Sequence, residues 1–482
     1  MSRLSRECRL AIAFLVAAVL FRCWFLTTLD LIPDEAYYWL WSKHLDASYF
    51  SKGPGVAWTI AFGTWLFGDN PFGIRWISVL LSAGTGWQLF VLGRRLFDAR
   101  VGLAAMIVAA IVPIYAVGAI LMTIDPLSVF FWVWAGNLFL DALEADRPWQ
   151  WALCGFAVGS GFLCKYVNLL ELLGFLGYVL SVARHRRTLW SWRWALLLGV
   201  TLVCTLPVIW WNDRNGWITA SHLKHRGDLD SGFHLHPEHL LQFFVNQASP
   251  ISPLLLLAIL IAAIAILFRR SKTEAEKYLL ALFLPTFGFY LLLSFNDPAK
   301  GNWLVTSYPA GIVLAVVFWS ERLNQRGARW FVRSALVLAL AMTLLLHGEY
   351  LPFLKPDKDP VLRLRGWPGY AAEIAKLRAQ YQPDYLLTNN YANASELAFY
   401  LPLPDRPAVF VARRAEIADQ FSFWPGYAPQ AGQSAFFISN ELDYELPPSL
   451  KEDFSKIEVV DDFWREYHGK KIDEYRVWRL QK

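Results

Sequence analysis

Apolar runs of about twenty residues dominate the first 347 positions of this 482-residue chain. A hydrocarbon core about 30 Å thick is crossed by roughly 20 apolar residues wound as a helix, and inside it every backbone polar group must bond within the protein. Eleven such runs fall at roughly 10–29, 72–92, 101–120, 126–143, 149–163, 166–183, 194–211, 251–268, 278–295, 302–319 and 330–347. The first has no small-residue cleavage site and leads straight into further runs, so it reads as a span and not a cleaved leader. The expectation is a polytopic α-helical membrane protein with about 11 transmembrane helices in residues 1–347. Charged residues make up 14% of positions 1–347 but 27% of positions 348–482. The second value is that of an ordinary soluble domain, about 25%, so residues 348–482 are expected to form a C-terminal soluble domain. The net charge of +5 comes with no basic stripe interleaved for nucleic acid, which sets that class aside.

Basic residues collect on the cytoplasmic side of membrane proteins. With Arg3, Arg6 and Arg9 inside, alternate loops also hold Arg94, Arg95, Arg100, Arg147, Arg184, Arg186, Arg187 and Arg193 on that side. The same count adds Arg269, Arg270, Lys272, Lys277, Arg322, Arg326, Arg329 and Arg333, so that 19 basic residues face 8 acidic ones. Eleven spans then place the N-terminus in the cytoplasm and residues 348–482 outside. All five cysteines lie in or beside the runs, so no disulfide framework is expected in the outer domain.

Two long loops, 30–71 and 212–250, lie on the outer face with most of its polar groups. In the first, Pro33 followed by Asp34 and Glu35 and then Tyr37, Tyr38, Trp39 and Trp41 reads as a helix start at headgroup level. Both acids suit a first helical turn as well as catalysis. Tyr49-Phe50-Ser51-Lys52-Gly53-Pro54 reads as a turn presenting one lysine, which also suits an interfacial anchor. Asp125 before Pro126 makes a good N-cap, yet a carboxylate at a membrane boundary needs water, a partner or a ligand. Lys165, His222, His225, Arg226, Lys300, Asn302, Trp303 and Tyr308 complete an outward bowl of two carboxylates and several cations. Deeper in the membrane, Arg22 and Glu171 stand about two turns below the outer surface and are expected to pair, since a lone charge there is costly. The histidines at 222, 225, 234, 236 and 239 are spread along a Gly- and Pro-containing loop. A structural zinc site needs four closed ligands, so no metal is expected, although Asp34 and Glu35 together suit a divalent ion.

Such a bowl suits transfer of a sugar from a lipid phosphate. The leaving group is already an anion that cations can stabilise, and the acceptor hydroxyl needs one carboxylate base. A glycosidase would need a second carboxyl as acid. Asp34-Glu35-Ala36-Tyr37-Tyr38-Trp39 resembles the first-loop acidic motif of bacterial family 39 glycosyltransferases of the GT-C fold. Within that family the chain is similar to the lipid A aminoarabinose transferase and the lipopolysaccharide galacturonosyltransferases. Tyr49-Phe50-Ser51-Lys52, Asp125-Pro126-Leu127, Gly161 through Tyr166, and Gly301-Asn302-Trp303 with Tyr308-Pro309 are similar to its later motifs. In this chain Ser51 stands where the family often has an acid, and Gly53 separates Lys52 from Pro54.

The resemblance implies an inverting transferase that uses a polyprenyl-phosphate-sugar donor and a membrane lipid or lipopolysaccharide acceptor, without a cofactor. Asp34, Asp125 and Glu35 would be catalytic, and Lys52, Lys165, Arg226 and Lys300 would bind the donor phosphate. Tyr37, Tyr49, His222, His225, Asn302, Trp303 and Tyr308 would bind substrate. A protein O-mannosyltransferase is the alternative within the same chemistry. A polytopic lipid or sugar transporter is the alternative outside it, although no internal repeat of the kind transporters carry is visible. No P-loop or dinucleotide glycine fingerprint occurs. The tail is expected to be α/β, with helices at 370–381 and 394–400 and strands at 384–388, 408–412, 434–439, 457–460 and 475–480.

Overall fold

The computed structural model describes residues 5–230, 232–347, 361–402, 407–414 and 416–482. It divides into two compact units, one of residues 1–26, 46–59 and 75–344, the other of residues 27–45, 60–74 and 345–482. The helices in chain order are α1 (Arg6–Phe25), α2 (Pro33–Lys43), α3 (Gly55–Phe67), α4 (Pro71–Leu96), α5 (Ala99–Ala110) and α6 (Pro113–Gly118). Then come α7 (Ile124–Ala145), α8 (Pro148–Cys164), α9 (Leu170–Ser181), α10 (Trp192–Arg214) and α11 (Ile218–Arg226). They are followed by α12 (His239–Ile251), α13 (Pro253–Leu267), α14 (Glu274–Leu293), α15 (Tyr308–Ser320) and α16 (Arg326–Leu345).

Among the described residues, six helices are long and apolar enough to cross a membrane: α1, α4, α7, α10, α14 and α16. A seventh span is counted if α12 and α13, bent by 112°, are taken together. Other apolar runs form shorter or broken helices, and proline accounts for several breaks. Run 101–120 stops at Ala110, and Pro113, which has no N–H to donate, restarts it as α6. Pro253 likewise starts α13 after Ser252, which sits at φ 84°. Run 302–319 becomes helical only from Tyr308, which leaves residues before it as the loop that carries Asn302. The outer loop 30–71 contains two helices, α2 and α3. The apolar helix α3 was not expected, because it is shorter than a full span.

In the first unit the helices pack around Phe139, whose ring stacks on Phe175 at 4.0 Å, with Trp151 fully buried beside it. Contact between α8 and α10 depends on Gly155. A Cβ there would lie 2.3 Å from the Leu197 carbonyl oxygen, which is how small residues let membrane helices approach. The expected pair of Arg22 and Glu171 is not formed. Arg22 on α1 donates to Ser82 Oγ at 2.7 Å. Glu171 on α9 is fully buried near Tyr278, with neither carboxylate oxygen hydrogen-bonded among the described residues. Depth along a run sets the height of a residue but not the side of its helix, and these two face different neighbours.

The second unit carries α17 (Trp367–Tyr381), α18 (Tyr391–Tyr400), α19 (Pro448–Asp453) and strands β1 (Tyr385–Thr388), β2 (Val409–Val411), β3 (Ser434–Ser439), β4 (Lys456–Tyr467) and β5 (Lys470–Gln481). The sheet runs β2-β1-β3-β5-β4. β1 is parallel to β2 and β3, and β5 is antiparallel to β3 and β4. His468 and Gly469, both at positive φ, turn the β4–β5 hairpin. The expected α/β tail is present, with β4 much longer than its sequence signal because the hairpin pairing extends it. Segment 27–45 packs with this tail: Leu31 N–H donates to Tyr400 Oη at 2.7 Å, Gly366 N–H to Asp30 Oδ2 at 2.8 Å, and the Tyr37 and Tyr391 rings lie 4.4 Å apart.

Gly155→Val must separate α8 from α10. It should lower the thermal stability of the purified protein by about 1–3 kcal/mol, the usual cost of overpacking. A melting curve unchanged from wild type would contradict the close contact.

Candidate active site

Asp125 is positioned by the start of α7. Thr123, not Asp125, is the N-cap, and its hydroxyl accepts from the Asp125 N–H at 3.3 Å. The Asp125 carboxylate is therefore left for tertiary partners. Lys165 ends α8 in extended backbone, φ −150° and ψ 121°, before a 3-10 turn at Tyr166–Leu169. Its Nζ donates to Asp125 Oδ1 at 2.7 Å and to the Asn302 carbonyl oxygen at 2.8 Å. Asn302 Nδ2 donates to Asp125 Oδ2 at 3.0 Å. Three segments far apart in sequence are thus tied at one point, with the Lys165 and Asp125 side chains only 10% and 14% exposed.

Beside this clamp lies a cavity of about 390 Å³ lined by Lys52, Lys165, Lys224 and Arg226, with Leu170, Phe289, Tyr290 and Leu293 among its apolar walls. Four cations in the lining of a largely apolar chamber suit a phosphate carried on a hydrocarbon chain. The Lys52 turn is closed by the Tyr49 N–H and the Ser48 hydroxyl, which donate to the Lys52 carbonyl at 3.1 and 3.2 Å. Gly53 lets that turn reach the end of α8, since a Cβ there would sit 2.3 Å from the Leu163 carbonyl oxygen. The glycine that interrupts the family-like motif is thus what allows Lys52 and Lys165 to line one cavity. Arg226 and Lys224 stand in the last turn of α11, where cations are favoured. The Arg226 guanidinium lies over the Trp303 ring, 5.5 Å from its centroid.

Residues 51–211 match the family model described as dolichyl-phosphate-mannose-protein mannosyltransferase. The chain is 28% identical over 380 residues to the lipid A galacturonosyltransferase RgtD of Rhizobium johnstonii, which spans 77% of this chain and 78% of that relative. It is 32% identical over 251 residues to the undecaprenyl phosphate-alpha-4-amino-4-deoxy-L-arabinose arabinosyl transferase of Pseudomonas paraeruginosa, over 46% of this chain and 42% of that one. The fold is similar to that of ArnT from Cupriavidus metallidurans, with a TM-score of 0.64 at 18% identity over 97% of each chain. The chain thus has the fold of ArnT, and its sequence is similar to those of lipid A glycosyltransferases.

The other expected site residues fall in several places. Trp303 lines the cavity. Lys300 is exposed and is not among the residues lining it. Tyr308 and Tyr49 are fully buried. The Tyr308 hydroxyl donates to Gln247 Oε1 at 2.9 Å, and the Tyr49 hydroxyl accepts from the Asp46 N–H at 3.2 Å, so both brace loops. His225 is exposed, with Nδ1 2.6 Å from Asp230 Oδ2. Asp34, Glu35 and Tyr37 belong to the second unit. There Asp34 is exposed, whereas Glu35 is fully buried and its Oε2 accepts from the Ile32 N–H at 3.2 Å at the start of α2. The Tyr37 hydroxyl accepts from the Gln420 N–H at 2.6 Å. Among the described residues no group of three or more His, Cys, Asp or Glu could hold a metal ion. Sequence reasoning missed Lys224 and Tyr290. The run Lys224-His225-Arg226 held a signal for the first, since residues two apart near a helix end can both reach one pocket.

His222 packs against the Phe50 ring at 4.5 Å. Burial first, and then the charges of Lys52, Arg226 and His225, hold its imidazole down to about 4, so it is neutral at pH 7. The unfolded imidazole titrates near ~6.5. The stability this group contributes is therefore complete above that pH and is lost as the pH falls towards 4. His222→Gln should melt less steeply with acid than wild type between these limits, with the difference between the two proteins constant above pH 7. Tryptophan-fluorescence melting across pH 4–8 checks this, and parallel acid limbs would refute it.

The clamp makes a second expectation. Asp125→Asn and Lys165→Gln should each reduce turnover, and the double variant should fall little below the worse single one. The coupling should be about 1.5–3 kcal/mol, the range for hydrogen bonds to charged groups. Additive losses would show that the two residues act separately.

Proposed function

We propose that this chain moves a sugar from a polyprenyl phosphate donor to a hydroxyl or phosphate of a lipid A-type acceptor, with inversion at the anomeric carbon. The cavity carries this reading: four cations meet an apolar wall in one chamber, which matches an anionic headgroup on a prenyl chain and little else. The acceptor oxygen bonds to the anomeric carbon, the bond from that carbon to the phosphate oxygen breaks, and polyprenyl phosphate leaves as an anion. Lys52, Lys165, Lys224 and Arg226 stabilise the charge that develops on it. Asp125 holds Lys165 in place. Asp34 takes the acceptor proton, an assignment supported by the motif it stands in and by its exposure.

Relatives named for undecaprenyl phosphate and lipid A support the same donor and acceptor classes, and ArnT has been solved with undecaprenyl phosphate bound. The proposed setting is the bacterial inner membrane, with eleven crossings, the N-terminus in the cytoplasm and the C-terminal domain outside. The 19 basic residues assigned to the inner loops support that orientation. No metal or cofactor takes part.

Purified protein in lipid nanodiscs, given sugar-charged undecaprenyl phosphate and lipid A, should release free undecaprenyl phosphate and add one glycosyl mass to the acceptor. Lys52→Ala and Arg226→Ala should raise the donor KM about tenfold or more, and Asp34→Asn should abolish turnover. Absence of product from wild type, or full activity in Asp34→Asn, would overturn the respective assignments.

A further inference from the structure

The second unit contains a cavity of about 820 Å³ that the transfer chemistry does not use. It lies within the ~300–1,000 Å³ range of ligand pockets, and its walls combine two chemistries. One is aromatic: Trp424 is half-buried, with the His44 ring at 4.7 Å and the Phe421 ring edge-on at 5.1 Å. The other is cationic: Arg413 and Arg414 are adjacent and exposed. Each is tethered, since the Arg413 guanidinium donates to the Tyr427 carbonyl oxygen and lies 4.6 Å over its ring, while that of Arg414 donates to the Asn389 carbonyl oxygen. A guanidinium has five N–H donors, so one such tether orients the group without exhausting it. The buried acid of the cavity, Asp419, accepts from the Phe421 N–H at 3.0 Å and so holds the aromatic loop. Tyr37 braces the same loop through the Gln420 N–H at 2.6 Å.

We propose that this cavity binds an anionic saccharide, the phosphorylated sugar headgroup of the acceptor. Aromatic faces suit the C–H faces of a sugar ring, and a planar guanidinium takes a phosphate through two parallel hydrogen bonds. The aromatic loop is fixed in advance by Asp419 and Tyr37, so little ordering accompanies binding. The pocket deepens the transfer reading by naming what recognises the acceptor, and it rests on that reading for the ligand's role but not for its chemistry.

The test uses the full chain in nanodiscs and two probes, a deacylated glucosamine disaccharide bisphosphate and the same disaccharide without phosphate. The phosphorylated probe should bind saturably and at least tenfold more tightly than the neutral one. Arg414→Gln and Trp424→Ala should each weaken its binding at least tenfold, with undecaprenyl phosphate binding kept within twofold of wild type as the check on folding. His44→Ala, at an exposed position, gives a third variant in case Trp424→Ala misfolds. In turnover, these variants should raise the acceptor KM and leave kcat at saturating acceptor within twofold. Unchanged probe binding in Arg414→Gln and in the aromatic variants overturns the pocket, whatever the turnover. Intact probe binding in a wild type that transfers no sugar overturns the transfer reading and leaves the pocket standing.

Discussion

The hydrogen-bonded clamp of Asp125, Lys165 and Asn302 is the interaction on which the helical unit's packing around its cavity depends. A carboxylate and an ammonium that are both largely buried must each be met by partners, because an uncompensated charge there costs several kcal/mol. The need is met by three chain segments: the first turn of α7, the end of α8 and the loop before α15. Any arrangement of the helices that separates these segments strands a charge. The clamp therefore both selects the packing and holds one cation at the cavity wall.

The helices that surround the clamp are irregular where the cavity requires it. α15 starts late, α8 ends in extended backbone, and α12 and α13 meet at a sharp bend. Non-helical backbone at such places is tolerated where it lines a cavity or lies buried in protein. Here it turns carbonyls and side chains towards one another across segments, as when the Asn302 carbonyl accepts from Lys165 while its amide serves Asp125. Gly53 has the same logic in another form, because the absence of a Cβ lets a loop lysine approach a helix end.

Much of this was legible in the order of residues. The apolar runs, the charge contrast at residue 348 and the acidic and basic motifs led to the helical unit, the α/β tail and the choice of Asp125 and Lys165 as site residues, but not to their pairing. Four readings changed with the structure. Asp125 yields the cap to Thr123, because the helix already starts at Ile124 and the Thr123 hydroxyl accepts from the Asp125 N–H. Glu35 bonds back to the Ile32 N–H at the start of its helix, and Tyr49 and Tyr308 hold backbone and side-chain partners from fully buried positions. Arg22 and Glu171 share a depth but not a partner. In each case the direction of the side chain was not available from spacing along the chain.

The sequence by itself determined which segments are apolar enough for lipid, which are polar enough for water, and which few charged residues stand outside both rules. These are consequences of transfer free energies, which act residue by residue and need no fold to be read. Only the tertiary structure decided which of those charges meet. Lys224 joined the cavity and Lys300 did not, and a loop beyond residue 407 supplied an arginine and aromatic pocket that no motif announced. Pairing and cavity shape depend on helix azimuth, on breaks at proline and glycine, and on contacts between segments more than a hundred residues apart, such as the 137 residues between Lys165 and Asn302.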